Sequence, residues 1–381
     1  MDNLGNFPYL ATYGTNSSYN YLINGSKPVI VKAPGLVASD FTWETVTQMD
    51  FGFDASFLNN RLTGTFDWYR RNTKDMLVAG ATLPATLGAS VPKSNSADMK
   101  TIGWELSLGW NDRLENGFSY WVKGVLSDYQ ATITKYAGND AGFYSQSDGD
   151  GKYYVGQKIG EIWGYHSNGL FQSDDEAATI DQSELYAGKW GAGDVKYEDL
   201  DGDGKITKGE ETIYNPGDKS IIGNKTPRYQ FGITVGFDYK NFDFEMFWQG
   251  TGKRDYMLSG AQFWGFTSQW DVPYTPALDY WTETNTDAYF PRPGWQNGGN
   301  RVTSDRYLQS AAYGRLKNLT VGYTIPKNLT TKWGISRLRL YVTGENLLTI
   351  TPLNDAFDPE TLGGLTYPIN RKVAIGLNLT L

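Results

Sequence analysis

The residues best suited to chemistry lie in one run, Asp199-Leu-Asp201-Gly-Asp203-Gly204-Lys205-Ile206-Thr207-Lys-Gly-Glu210. It fits the D-x-D-x-D-G-x5-E pattern of an EF-hand calcium loop at every position. Short carboxylates at alternate positions can converge on one hard cation, and Gly204 allows the sharp turn that brings them together. On this pattern Asp199, Asp201 and Asp203 offer side-chain oxygens and Lys205 its backbone carbonyl. Thr207 offers a direct or water-bridged oxygen, and Glu210 a bidentate carboxylate. Without a cation, four carboxylates so close would repel one another. The competing reading is a solvated acidic turn. No amphipathic helices flank the run, so the expectation is a structural Ca2+ that pins a long loop rather than a sensor switch.

Aromatic residues form the second group. Trp163, Tyr165, Phe171 and Trp190 lie in the stretch 137–226, and Trp264, Trp270, Trp281 and Trp295 in 257–304. These eight are candidates for ligand or partner contact. Such rings stack on sugars, enter protein interfaces, or pack a compact loop on itself. The sole histidine, His166, has no paired nucleophile in the sequence and reads as structural. Acidic pairs such as Asp174/Asp175 and Glu210/Glu211 read as solvated, since a glycosidase needs two carboxyls at set separations across a cleft. No enzyme is expected. Cysteine is absent, which removes disulfides, thiolate metal sites and a cysteine nucleophile. A net charge of −8 argues against nucleic acid as a partner.

The elements that must carry these residues show a period of two, as one-sided strands require. Met49, Phe51, Phe53 and Phe57 alternate with Gln48, Asp50, Gly52, Asp54 and Ser56, and Val373, Ile375, Leu377 and Leu379 alternate with small or polar residues. The same alternation predicts strands over 42–58, 61–78, 98–113, 118–136, 228–240, 242–256, 306–326, 335–350 and 369–381. Charges on the second face suit a wet lumen better than a sandwich core. Connections alternate between short turns, such as Asn59-Asn60 and Glu115-Asn116-Gly117, and long loops at 79–97, 137–226, 257–304 and 352–368. Short periplasmic turns and long extracellular loops are the pattern of a transmembrane barrel. No stretch approaches the ~18 apolar residues of a transmembrane helix. The fold class expected is therefore all-β, an antiparallel transmembrane β-barrel with its C-terminus at the periplasm. Residues 1–41 read as the tail of an extracellular loop, and 42–381 as barrel and loops. Trp43, Trp68, Tyr69, Trp104, Trp110 and Tyr323 are expected to form interfacial girdles. Barrels of this kind close with an even strand count, so nine strands are expected to be part of a longer barrel. The absence of a signal peptide at the N-terminus agrees with that expectation.

Several long motifs resemble the SusC/RagA family of TonB-dependent outer-membrane transporters. They are Leu58-Asn-Asn-Arg-Leu-Thr-Gly-Thr-Phe-Asp-Trp-Tyr-Arg-Arg-Asn-Thr-Lys-Asp-Met-Leu77, Gly160-Glu-Ile-Trp-Gly-Tyr-His-Ser-Asn-Gly-Leu-Phe171, and Asp194-Val-Lys-Tyr-Glu-Asp-Leu-Asp-Gly-Asp-Gly204. Ile222-Gly-Asn-Lys-Thr-Pro-Arg-Tyr229, Gly344-Glu-Asn-Leu-Leu347 and the alternating C-terminal strand complete the set, in the family's order over residues 36–381. The resemblance implies about nine C-terminal strands of a 22-stranded barrel, located in the cell outer membrane. It implies a plug and a TonB-contacting segment that these residues do not include. It implies a SusD-like surface lipoprotein as partner, the TonB complex as energy source, and glycan fragments or peptides as cargo. The alternative is a secreted, calcium-stabilised, carbohydrate-binding β-protein, and a further one is a non-transporting porin-like or adhesin barrel.

Overall fold

The chain is described from a computed structural model. It describes residues 9–16, most of 22–39, 41–79, scattered positions in 84–89, 91–137, 139, 142, 153–362 and 367–381. Parts of the expected tail 1–41 and of loops 79–97, 137–226 and 352–368 lie outside the described residues.

Nine long strands form one sheet: β1 (Thr45–Phe57), β2 (Leu62–Ala79), β3 (Lys93–Arg113), β4 (Ser119–Tyr136), β5 (Arg228–Tyr239), β6 (Phe242–Lys253), β7 (Tyr313–Thr324), β8 (Arg337–Ile350) and β9 (Lys372–Thr380). Each pairs antiparallel with its sequence neighbour, so the sheet is a simple meander. This is the expected barrel wall. The turn after β1 places Leu58, Asn59 and Asn60 in succession at positive φ, a conformation that asparagine tolerates better than most residues. Several predicted boundaries move; β1 begins at Thr45 rather than 42 and β9 at Lys372 rather than 369. Strand β3 begins at Lys93 rather than 98, β6 ends at Lys253, and β7 begins at Tyr313 rather than 306. Strands β6 and β7 shorten because Asp255–Met257 and Leu308–Ser310 leave the wall and form their own ladder.

Register fixes the two faces, because directly opposed residues in an antiparallel pair share a face. Phe53 opposes Phe66, Phe66 opposes Leu106, and Leu106 opposes Leu126. Farther round, Val235 opposes Met246, Val321 opposes Val342, and Val342 opposes Ile375. One apolar band therefore crosses all nine strands. The other face carries Asp54, Asp67, Glu105, Lys123, Asp238, Asp243, Glu245 and Arg339.

The girdle expectation needs one correction. Trp68 opposes Trp104 just below Arg70, Trp110 opposes Leu62 at the turn end, and Tyr323 opposes Phe242, all on the apolar face. Trp43 is exposed just ahead of β1. Tyr69 instead faces the lumen, opposite Gly103, because adjacent residues of a strand point to opposite faces.

The hydrophobic core lies outside the wall. Tyr165, Leu170, Val195, Tyr197 and Ile206 pack with Leu258, Phe263, Trp264, Phe290, Tyr307, Leu353 and Phe357. Three long connections thus fold on one another as a compact body at the end of the barrel opposite the short turns.

Candidate functional site

The loop body is held by buried polar ties that its sequence does not advertise. Asp194 is fully buried. Its carboxylate accepts from Arg292 Nε (3.0 Å) and Nη2 (2.7 Å), from Asn300 Nδ2 (2.8 Å) and from the Gly191 amide (2.9 Å). This joins the 137–226 connection to the 257–304 connection. Tyr197 Oη donates to the Gly299 carbonyl (2.7 Å), and the amide of Gln182 donates to the Val195 carbonyl (3.0 Å) while its oxygen accepts from the Tyr197 amide (2.8 Å). Complete burial pushes the Tyr197 phenol far above its ordinary range, so it stays a donor. The last loop is tied to the lumen face: Arg315 meets Asp358 at 2.5 Å and Glu360 at 3.2 Å.

His166 is one such tie. Its Nδ1 lies 2.7 Å from Asp305 Oδ2, and its Nε2 lies 2.7 Å from Ser220 Oγ. Asp305 also accepts from the Ser167 amide at 3.0 Å. The order serine–histidine–carboxylate is that of a hydrolytic triad. Yet Ser220 occupies a ladder position against Gly164, where its hydroxyl bridges strands rather than heading a sharp exposed turn. The chain of bonds reads as a clasp between three segments, which agrees with a structural histidine.

The acidic run folds as an open loop whose carboxylates cap its own amides. Asp199 accepts from the amides of Gly202 (2.6 Å) and Gly204 (2.7 Å), Asp201 from that of Asp203 (3.1 Å), and Asp203 from that of Lys205 (2.8 Å). Gly204 adopts φ +83°, as the tight turn requires. Ile206 is fully buried in the loop core and anchors the run from below. One oxygen each of Asp199, Asp201 and Asp218 lie within 4.8 Å of one another. Asp203 and Glu210 are not in this group.

The reason is local. After Thr207 the chain does not enter a helix that would carry Glu210 back over the loop. It doubles back through a turn at Gly209 to Gly217 and returns as Asp218, whose amide donates to the Thr207 carbonyl at 3.2 Å. Asp218 is buried and accepts from the Leu200 (2.8 Å) and Thr207 (2.6 Å) amides. Asp218, rather than Glu210, therefore stands beside Asp199 and Asp201. The Gly204 amide, more than any other group, holds the Asp199 carboxyl below the usual range. For Asp201 the Asp203 amide pulls downward, but partial desolvation and the charges of Asp203, Asp218 and Asp199 outweigh it and raise the carboxyl. An oxygen-rich, mutually repelling group of this kind suits a hard divalent cation.

The eight aromatic candidates divide. Tyr165, Phe171 and Trp264 are buried, and Trp163, Trp190 and Trp281 are half-buried. Trp163 stands edge-on to Tyr154, Trp190 edge-on to Tyr197, and Trp264 edge-on to Tyr307. These six pack the loop body on itself. Trp270, 83% exposed, and Trp295, 46% exposed, are open to solvent.

With the two-faced wall in place, comparison with known proteins is direct. Residues 5–347 match the family described as TonB dependent receptor-like, beta-barrel. The chain belongs to this family. It is 30% identical to TonB-dependent receptor P3 of Formosa agariphila over 98% of its length, and 25% identical to TonB-dependent receptor SusC of Bacteroides thetaiotaomicron over 100%. It spans 38% and 36% of those two relatives. The solved RagAB peptide transporter shares the fold over 98% of this chain and 39% of its own, with a TM-score of 0.74 at 21% identity. The wall is thus a partial TonB-dependent receptor barrel of the SusC/RagA type, and it belongs to the outer membrane. The family is one of receptors and transporters, not of enzymes.

Proposed function

We propose that this chain supplies wall and extracellular loops to a TonB-energised importer that takes up glycan fragments or peptides beneath a SusD-like surface lipoprotein. The nine-stranded meander with one apolar and one charged face supports this reading. An apolar band over every strand fits lipid outside, and a charged face fits a wet lumen inside. That pairing disfavours a secreted lectin, whose sheets bury one face against another. The exposed Trp270 and Trp295 are the aromatic residues best suited to meet the lipoprotein, since tryptophan is enriched at interface anchors. Residues 1–41 fit the tail of an extracellular loop.

A Ca2+ held by Asp199, Asp201 and Asp218 would neutralise their repulsion and pin the surface loop without any catalytic role. Asp203, Lys205, Thr207 and Glu210 would act at most through water or at the margin. The test is uptake. Cells with the full-length gene deleted should lose import of a cognate oligosaccharide or peptide, and a strain lacking TonB should lose it equally. Import that persists without TonB would sink the proposal.

A further inference from the structure

The outward face of the wall changes character at its upper end, and on one side. Phe51, Trp68 and Trp104 oppose one another as a row of three rings across β1, β2 and β3. One step farther from the short turns, Met49 opposes Arg70 and Arg70 opposes Ile102. The next step sets Lys100 between Asn72 and Thr132. Residues 157–159 then extend the sheet past β4. The Ile133 amide donates to the Gln157 carbonyl and the Ile159 amide to the Ala131 carbonyl, both at 2.9 Å. Lys158 bridges to Thr132 and so shares its face. Lys74, two residues beyond Asn72 and opposite Thr45, completes the group.

Arg70, Lys74, Lys100 and Lys158 thus gather directly above the rings. Neighbouring strands lie about 5 Å apart, so the group spans about 15 Å and long side chains can converge across it. Three of the four are exposed and Lys100 is half-buried. None forms a salt bridge among the described residues. The nearby acids are engaged elsewhere. Asp128, opposite Trp104, grips the Arg228 guanidinium through both oxygens. Glu161 accepts from the Tyr154 hydroxyl at 2.5 Å and from the Lys158 amide at 3.0 Å. At the upper ends of β7 and β8 the same face carries Leu316, Leu348 and Ile350 instead.

We propose that this corner of the wall binds the phosphorylated headgroup of an outer-leaflet lipid. The cations continue, without a break, the apolar band that lipid covers. Acyl chains lie against Phe51, Trp68 and Trp104 while phosphate meets the charges one step above. The forked N–H groups of arginine match phosphate oxygens, and lysines add point charge. Basic clusters at the edge of a membrane span attract anionic headgroups in this way. The face looks away from the lumen and is carried mainly by strands inside the sheet, so it depends neither on what fills the barrel nor on the strands that close it. It rests on the outer-membrane setting and not on the imported cargo. Because Lys158 belongs to the 137–226 connection, a headgroup held here also ties the loop body to the wall.

The experiment offers the full-length transporter, purified in detergent, mixed micelles of a phosphorylated glycolipid (lipid A) and, separately, of the same lipid stripped of phosphate. Native mass spectrometry reads the lipid retained. The phosphorylated lipid should stay bound and the stripped lipid should not. Arg70→Gln with Lys100→Gln should weaken retention about twentyfold, and Lys158→Gln alone about fivefold. Lys123→Gln, on the lumen face, should leave it unchanged. A heat-modifiable shift on gels checks that each variant is still a barrel, and Lys158→Gln, outside the wall strands, serves if the double variant fails that check. Equal retention of the two lipids, or unchanged retention in the folded variants, overturns the site. So does displacement of the lipid by an equal concentration of inorganic phosphate, which would make this a site for a free anion. A double variant that changes the oligomeric state would give the face to a second copy of the chain and overturn it too.

Discussion

The wall and the loop body solve the burial problem in opposite ways. Phe53 on the wall is 56% exposed, while Phe263 in the loops is fully buried. Both are phenylalanines, one in a strand of the wall and one in a short helical turn of the loops. The wall leaves its apolar band outward because lipid, not protein, is to cover it, and its stability comes from continuous ladders between strands. The loop body faces water and must build a protein core, which it does with Tyr165, Tyr197, Phe263, Trp264 and Tyr307. Polar groups are inverted as well. On the wall they face inward to a lumen, whereas in the loops a few, such as Asp194 and Gln182, are buried and fully bonded. A residue's type therefore says little here until its solvent is known.

The contrast breaks most sharply under truncation. Phe263→Ala should destabilise the loop body by about 3–5 kcal/mol, the usual range for a buried aromatic. Phe53→Ala should cost far less, since its ring leaves lipid rather than a packed core. Limited proteolysis of the loops, followed beside the heat-modifiable gel shift of the barrel, separates the two. Equal loss in both variants would mean that wall and loops form one cooperative unit.

Asp194→Ala comes next, at about 3 kcal/mol, because Arg292, Asn300 and the Gly191 amide lose their shared acceptor. Loop cleavage should accelerate with no change in the barrel shift. On the wall, Phe66→Arg places a charge in the lipid band and should cost about 2 kcal/mol. Thr65→Arg, one residue away on the lumen face, should be milder. Folding yields into lipid vesicles compare the pair, and similar yields would contradict the facing assigned from register.

Much of the wall was legible because alternation is local. The runs around Phe51, Leu106, Ile233, Val321 and Ile375 show their faces in the sequence itself. Tyr69 was misplaced because its neighbour Trp68 has the same aromatic character, and only pleating separates them. The loop body was harder to read. Six of the eight aromatic candidates pack inward, and nothing in their spacing distinguishes Trp264 from the exposed Trp270. Asp194 stands in an ordinary polar run, and its partners Arg292 and Asn300 are about a hundred residues away. Asp218 lies outside the twelve-position calcium pattern, so nothing in the pattern pointed to its place beside Asp199 and Asp201. Contacts that depend on a chain reversal leave no periodic trace.

The smallest effect concerns that reversal. The Asp199 carboxyl is lowered, so its contribution to the loop is present above its unfolded range and fades as pH falls through its folded value. The Asp201 carboxyl is raised, so the fold favours its protonated form, and ionising it withdraws stability as pH rises through the carboxylate range. A bound divalent cation should offset the second effect, and protons should compete with it. Differential scanning fluorimetry with calcium and with chelator should therefore show a loop transition raised by ~3 °C in calcium at pH 7. That gap should shrink as pH falls, because protons then compete with the cation for the Asp199 and Asp201 carboxylates. Asp218→Asn should abolish the gap, while Glu210→Gln should leave most of it. The reverse order would restore the EF-hand arrangement and remove Asp218 from the site. A gap that never appears would leave the run as a self-capped acidic turn anchored by Ile206.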